Sequence, residues 1–283
     1  SHSPRTWTER KTILSNLQIF YNENKLLKES ASHGFGHAIA VHRHAINAIE
    51  CVRYSLSDQT ILEIELAALL HDVDDKKYFP LSNRKADVNS FSSSSTPKIS
   101  SLPNAKKILS DAACNNVCDE SMERIASMIQ WVSCSDNGNS VPQEILENNS
   151  YHLLIPRWAD RLEAVGAIGV VRCYEYNAEK RSPLFSAASP RATSKEEVWN
   201  FATANRFEEY QRRGTSDDMI SHYYDKLLHI AKPPKDIVRN DYLEKMAEES
   251  SKELVEVCIR FGLNKTVDEE YIKQLRDKQS ASE

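Results

Sequence analysis

The stretch Leu66-Ala67-Ala68-Leu69-Leu70-His71-Asp72-Val73-Asp74-Asp75-Lys76-Lys77-Tyr78 places a histidine, three carboxylates and two lysines directly after a nearly all-apolar run, Ile61 to Leu70. Such a run reads as a helix buried on most of its circumference, and ionisable groups at its end are costly to bury unless paired or bound to a metal. Neighbouring helical residues point about 100° apart, so His71 and Asp72 can share one cation only in the notch between their directions. The adjacent pair is therefore half of a metal site or a buried ion pair. The other residues suited to divalent-metal chemistry are His37 and Asp160, which fall with His71-Asp72 on three predicted helices.

The elements that must position these residues are helices. Only seven glycines occur in 283 residues, and apolar residues recur at helical rather than alternating spacing, so the chain is expected to be all-α. An amphipathic opening helix runs from Thr12 to Leu27, with Ile13, Leu14, Leu17, Phe20, Tyr21 and Leu27 on its apolar face. A loop, Ser30 to His37, leads into a helix reaching about Ser55, and Ser57 or Asp58 can cap the helix that ends in His71-Asp72. Residues 81 to 103 are rich in serine with two prolines, and are expected to be a loop insertion that could act as a flap over the site. Helices near 104–117 and 119–133 follow, then a turn at Ser135 to Asn139. A long helix from about Tyr151 to Tyr176 carries Asp160, and its Ala164, Gly166, Ala167 and Gly169 suggest a close helix crossing. Beyond a second loop, 181–195, come a helix over 195–213, one capped by Ser216 or Asp217 that holds His222 to Leu228, and a long charged helix over 236–260.

A net charge of -5 provides no overall basic field, so neither a nucleic-acid polymer nor a membrane surface is an expected partner. No apolar run is long enough to span a bilayer, and the protein is expected to be soluble and cytoplasmic. The six cysteines are scattered and read as free, mostly buried thiols. The opening Ser1-His2-Ser3 reads as a trimmed terminus, so His2 is set aside.

The order His37, His71-Asp72, Asp160, set in Ala67-Ala68-Leu69-Leu70-His71-Asp72 and Ala159-Asp160-Arg161-Leu162, resembles the HD superfamily of metal-dependent phosphohydrolases. It is closest to the branch of small bacterial HD pyrophosphohydrolases that act on nucleoside triphosphates. That branch has a histidine shortly before the first ligand, matched by His33, and an Asp and a Lys after the HD pair, matched by Asp75 and Lys77. Its Ala-Asp-Arg-Leu-acid-Ala helix followed by Gly-Ala-Ile-Gly matches Ala159 to Ala164 and Gly166 to Gly169. Its later His-aromatic-x-x-Lys-Leu-Leu segment matches His222 to Leu228. Departures fall at Ala40, where the branch has Arg, at Trp158, where it has an acid, and near Ser250, where an Arg is expected.

The resemblance implies an HD-domain helical bundle over residues 30–260, carrying the Ser-rich insertion, with residues 1–29 as a packed N-terminal helix and 261–283 as a polar tail. It also implies one divalent metal held by His37, His71, Asp72 and Asp160. Two imidazoles and two carboxylates suit Mn²⁺ first, with Mg²⁺, Fe²⁺, Co²⁺ or Ni²⁺ as alternatives. Asp75 is the expected carboxylate for the attacking water. His33, Lys77, Arg161, His222 and Lys226 are the expected partners of substrate phosphate charge. The implied reaction is hydrolysis of a small nucleotide, foremost a nucleoside triphosphate to monophosphate plus pyrophosphate. Phosphomonoester or cyclic-nucleotide hydrolysis is the enzymatic alternative, and a nucleotide-binding regulatory module on the same scaffold is the alternative of another class. Structural roles are expected for His42, His44, His152 and His229, for Asp74 and Lys76 as solvated or helix-end charges, and for Tyr223, Tyr224 and Trp199 as core.

Overall fold

The computed structural model describes residues 4–24, 34–75, 98–112 and 117–280. Among these every regular element is helical and there is no strand, so the protein is all-α. No helix of the described residues is long and apolar enough to cross a membrane. The chain divides into two compact units, one of residues 1–133 with 152–159 and the other of 134–151 with 160–283. The division falls inside the Ile155–Val165 helix, after Ala159.

The first unit is organised on the Asp58–Leu70 helix, packed between the Phe35–Glu50 and Asp119–Val132 helices. Ser57 caps it, its hydroxyl accepting from the Thr60 N–H at 3.0 Å, so the four orphan N–H groups of the first turn are partly satisfied. Every residue from Leu62 to Leu70 is buried, including two carboxylates inside the run that looked apolar. Each of these is paired from a neighbouring helix. Glu63 accepts two bonds from Arg124, at 2.8 and 2.6 Å, while Glu65 accepts from Arg10 at 2.6 Å and faces His42 Nε2 at 3.1 Å. The opening helix, Pro4–Glu23, packs on the Pro103–Asp111 and Phe35–Glu50 helices. Ile13, Leu17 and Tyr21, four residues apart on one face, are its buried stripe. The helix that carries His37 begins at Phe35 and ends at Glu50 rather than near Ser55.

In the second unit several long predicted helices are broken. Gly166 adopts an extended conformation (φ -68°, ψ -167°) and separates Ile155–Val165 from Ala167–Lys180, where one helix through Tyr176 was expected. The small residues there serve that corner. A Cβ on Gly169 would overlap the Ala164 carbonyl, so the glycine lets two consecutive helices meet closely. The 195–213 helix is two, Lys195–Phe201 and Ala204–Arg213. The helix holding His222 is capped by Asp218, whose carboxylate accepts from the Ser221 N–H at 2.7 Å, and not by Ser216 or Asp217. It passes through a π-helical turn, Tyr223–Leu227, in which Tyr223 and Tyr224 are core residues. The 236–260 helix is three pieces: Lys235–Val238, Asp241–Ser250 and Lys252–Asn264. Residues 269–280, read above as polar tail, form the Glu269–Ser280 helix, which buries Ile272 and Leu275.

The described cysteines are free, but only Cys258 is buried; Cys51 and Cys118 are exposed. The serine-rich segment 81–97 lies outside the described residues, while its expected last part forms a short 3-10 turn, Ile99–Ser101, leading into Pro103–Asp111.

Candidate metal centre

His37 stands in the first turn of the Phe35–Glu50 helix, His71 at the C-terminal end of the Asp58–Leu70 helix, and Asp72 in the turn that follows. The two helices pack side by side, and their ends bring three donor atoms together. His71 Nε2 is 3.2 Å from His37 Nε2 and 3.3 Å from Asp72 Oδ2, and His37 Nε2 is 3.6 Å from the same carboxylate oxygen. All three residues are buried. Three atoms at these separations can all lie about 2.1 Å from a single point, the usual distance of a first-row metal from nitrogen and oxygen ligands. The cluster could therefore hold a metal ion.

The tautomer of His71 favours that role. Its Nδ1 lies 2.9 Å from the Ala68 carbonyl oxygen, which can only accept, so the proton belongs on Nδ1 and the neutral ring presents a bare Nε2 to the cluster. Two imidazole nitrogens and a carboxylate oxygen at this spacing need a shared proton or a cation between them. A buried ion pair alone, the other reading of the His-Asp pair, requires one imidazole to be charged.

The turn carrying Asp72 is fixed by the next segment of chain. Asp75 N–H donates to the Asp72 carbonyl at 3.1 Å. Asp74 is buried, and its two carboxylate oxygens accept from the N–H groups of Asn104 (3.1 Å) and Ala105 (2.9 Å). Those are the first two donors of the Pro103–Asp111 helix, since Pro103 has none and Leu102 offers no side-chain cap. Asn104 Nδ2 returns a bond to the Val73 carbonyl at 2.7 Å. Asp74 is thus a helix-end charge, but for a helix thirty residues further on, and it is not solvated. Asp74→Ala is expected to cost about 1–2 kcal/mol, the usual range for a lost N-cap, measured by urea unfolding. An unchanged midpoint would show that this cap carries no weight.

Of the remaining expected site residues, Asp160, Arg161, His222 and Lys226 belong to the second unit. Among the described residues the cluster comprises His37, His71 and Asp72, all of the first unit. Arg161 is buried, with its guanidinium donating to the Gly138 carbonyl and the Asn139 side chain, so it clamps the turn after the Cys134–Asn137 helix. His222 packs edge-on to Tyr210 at 5.3 Å, Lys226 lies over the same ring at 5.4 Å, and burial followed by the Lys226 charge pushes His222 down to about 3. His222 is consequently a neutral imidazole at ordinary pH. His33 and Lys77 lie outside the described residues.

Of the residues given structural roles, His42 faces Glu65, His152 Nδ1 meets the Tyr54 hydroxyl at 2.8 Å, and His229 stacks on Phe207. Sequence reasoning missed the buried Glu63 and Glu65 pairs. Their only signal was two acids inside an otherwise apolar helix.

Fold and site together define an all-helical protein with a buried His-His-Asp cluster able to hold a metal ion. The chain is 36% identical over 231 residues, covering 82% of itself and 88% of its relative, to "Uncharacterized protein L803" of Acanthamoeba polyphaga mimivirus. It belongs to the family of that viral protein. No protein-family profile matches the chain. A crystal structure of a Lactobacillus plantarum protein, a Northeast Structural Genomics target, aligns with a TM-score of 0.51 at 20% identity, covering 95% of this chain and 98% of that one. That likeness is one of fold.

Proposed function

We propose that the protein is a cytoplasmic, metal-dependent phosphohydrolase of the HD type, acting on a small nucleotide and foremost converting a nucleoside triphosphate to its monophosphate and pyrophosphate. The observation that carries this reading is the convergence of His37 Nε2, His71 Nε2 and Asp72 Oδ2, three of the residues that the motif marks as ligands. A divalent cation, Mn²⁺ by preference, would supply Lewis-acid polarisation of a phosphoryl oxygen and a lowered pKa for water. Asp160 is the fourth ligand in this reading, and that role rests on the sequence motif.

The chain's own contribution is positional and electrostatic. Asp75, in the turn that begins at His71, is the carboxylate proposed to orient the attacking water and take its proton. Lys77, His33 and Lys226 are the proposed partners of phosphate charge, again from the motif. His222 enters as a neutral hydrogen-bonding group rather than a cation, and Arg161, which also holds the Gly138–Asn139 turn, is a further proposed phosphate partner from the motif.

The test is a metal analysis joined to a nucleotide panel with products identified. Triphosphates should yield monophosphate and pyrophosphate with Mn²⁺ and nothing with chelator. Nucleoside plus phosphate, or opening of a cyclic phosphate, would redirect the assignment to a phosphomonoesterase or phosphodiesterase. A metal-loaded protein inert across the panel would sink the enzymatic reading.

A further inference from the structure

Lys226 lies in the π-helical turn Tyr223–Leu227, just beyond His222, and both side chains reach the ring of Tyr210 on the Ala204–Arg213 helix. The Lys226 ammonium stands over the face of that ring, 5.4 Å from its centroid, and the His222 and Tyr210 rings meet edge-on at 5.3 Å. All three side chains are half-buried and belong to the second unit. Among the described residues no carboxylate pairs with Lys226, and its sequence neighbour Asp225 is taken by Arg206 at 2.8 Å. Burial pushes the Cys173 thiol, which feels the Lys226 charge, up to about 12, so no thiolate balances that charge, and His222 is neutral. A half-buried ammonium is ordinarily paired with an anion, and π-helical turns recur at functional positions. Neither Lys226 Nζ nor His222 Nε2 has a hydrogen-bond partner among the described residues. Neither is one of their fully buried polar atoms, so water or a small anion can reach both. The Ser216 hydroxyl, 3.4 Å from His222 Nδ1, can donate to it, which places the ring proton on Nε2.

We propose that Tyr210 is a positioning residue of a phosphate subsite, its ring seating the Lys226 ammonium and packing against the His222 imidazole so that the two act on one oxyanion. The identity of that oxyanion, a phosphate group of the substrate, rests on the phosphohydrolase reading. Tyr210 itself lies on a helix that the motif does not reach. A cation on an aromatic face is attracted by the ring quadrupole while its outward side stays free for an anion. Holding the ammonium there in advance spares the ordering of a flexible four-carbon chain when the anion binds. The neutral imidazole adds a hydrogen bond from Nε2 without a second positive charge to repel Lys226.

Binding of inorganic pyrophosphate to the full-length protein, kept metal-free with chelator, is measured by calorimetry for wild type, Tyr210→Phe, Tyr210→Leu, Lys226→Met and the Tyr210→Leu/Lys226→Met pair. Circular dichroism is recorded on each, and wild type is assayed on triphosphates with Mn²⁺. Tyr210→Phe keeps the ring face and should bind within about twofold of wild type, whereas Tyr210→Leu should bind about 10-fold more weakly. In the Lys226→Met background Tyr210→Leu should cost no more than about twofold, because the ring then has no ammonium to seat. Undiminished binding by Tyr210→Leu, an equal loss in Tyr210→Phe, or a Tyr210→Leu loss that persists in full without Lys226 would each overturn the assignment. Independently of any variant, saturating pyrophosphate should shift the Tyr210 and His222 ring-proton resonances of wild type, and unmoved resonances would overturn it as well. A wild type that turns over triphosphates but takes no pyrophosphate would remove the subsite and leave the phosphohydrolase reading standing. One that takes pyrophosphate in the expected pattern yet is inert on every nucleotide would sink that reading and leave Tyr210 as the seat of an oxyanion site.

Discussion

Asp72→Ala is expected to lose bound metal and catalysis together. Its Oδ2 is the anionic donor that the cluster of described residues contains, 3.3 Å from His71 Nε2 and 3.6 Å from His37 Nε2, and it is buried. Without it the cluster keeps two imidazoles, which by themselves bind a divalent cation weakly and can settle instead by sharing a proton. Altering even an outer partner of a metal ligand typically weakens binding about 10–100-fold, so deleting a ligand should exceed the upper end of that range. The fold should persist, because the substitution removes a buried charge and leaves the Asp74 cap and the Asp72 backbone carbonyl in place. Metal content by elemental analysis, turnover on the best nucleotide and helicity by circular dichroism are read on one preparation. Full metal occupancy with undiminished turnover would refute the centre.

The second large effect separates chemistry from metal binding. Asp75→Asn keeps the backbone N–H that bonds to the Asp72 carbonyl, so the turn and the three-atom cluster should survive with metal content unchanged. If Asp75 orients the attacking water and takes its proton, the amide cannot replace it, and turnover should fall about 10²-fold or more, in keeping with the loss of a general base. Single-turnover rates at saturating Mn²⁺ measure this without interference from product release. A variant as fast as wild type would move the role to another residue. Because Asp72→Ala removes metal and rate while Asp75→Asn removes rate alone, the two substitutions sort ligand from base.

The amino-acid sequence by itself determined the helical class, a cap at Ser57 or Asp58, the buried helix that ends at His71-Asp72 and, through the motif, His37 as the partner of that pair. All of these are written in short-range periodicity or in residues at fixed spacing, where the chemistry of neighbours along one helix decides the outcome. Tertiary structure decided what spacing cannot express. Asp74 caps a helix thirty residues away because Pro103 and Leu102 leave that helix end without a cap of its own. Glu63 and Glu65 tolerate burial because Arg124 and Arg10 arrive from other helices. Gly166 turns a periodic stretch into two helices, and residues 269–280 become a packed helix once Ile272 and Leu275 find a core. Arg161 holds the turn at Gly138, and Tyr21, which periodicity marks as core, keeps a buried hydroxyl with no hydrogen-bond partner among the described residues. In each case the deciding partner is distant in the chain, and a buried polar group takes its role from whichever partner the folded chain brings to it.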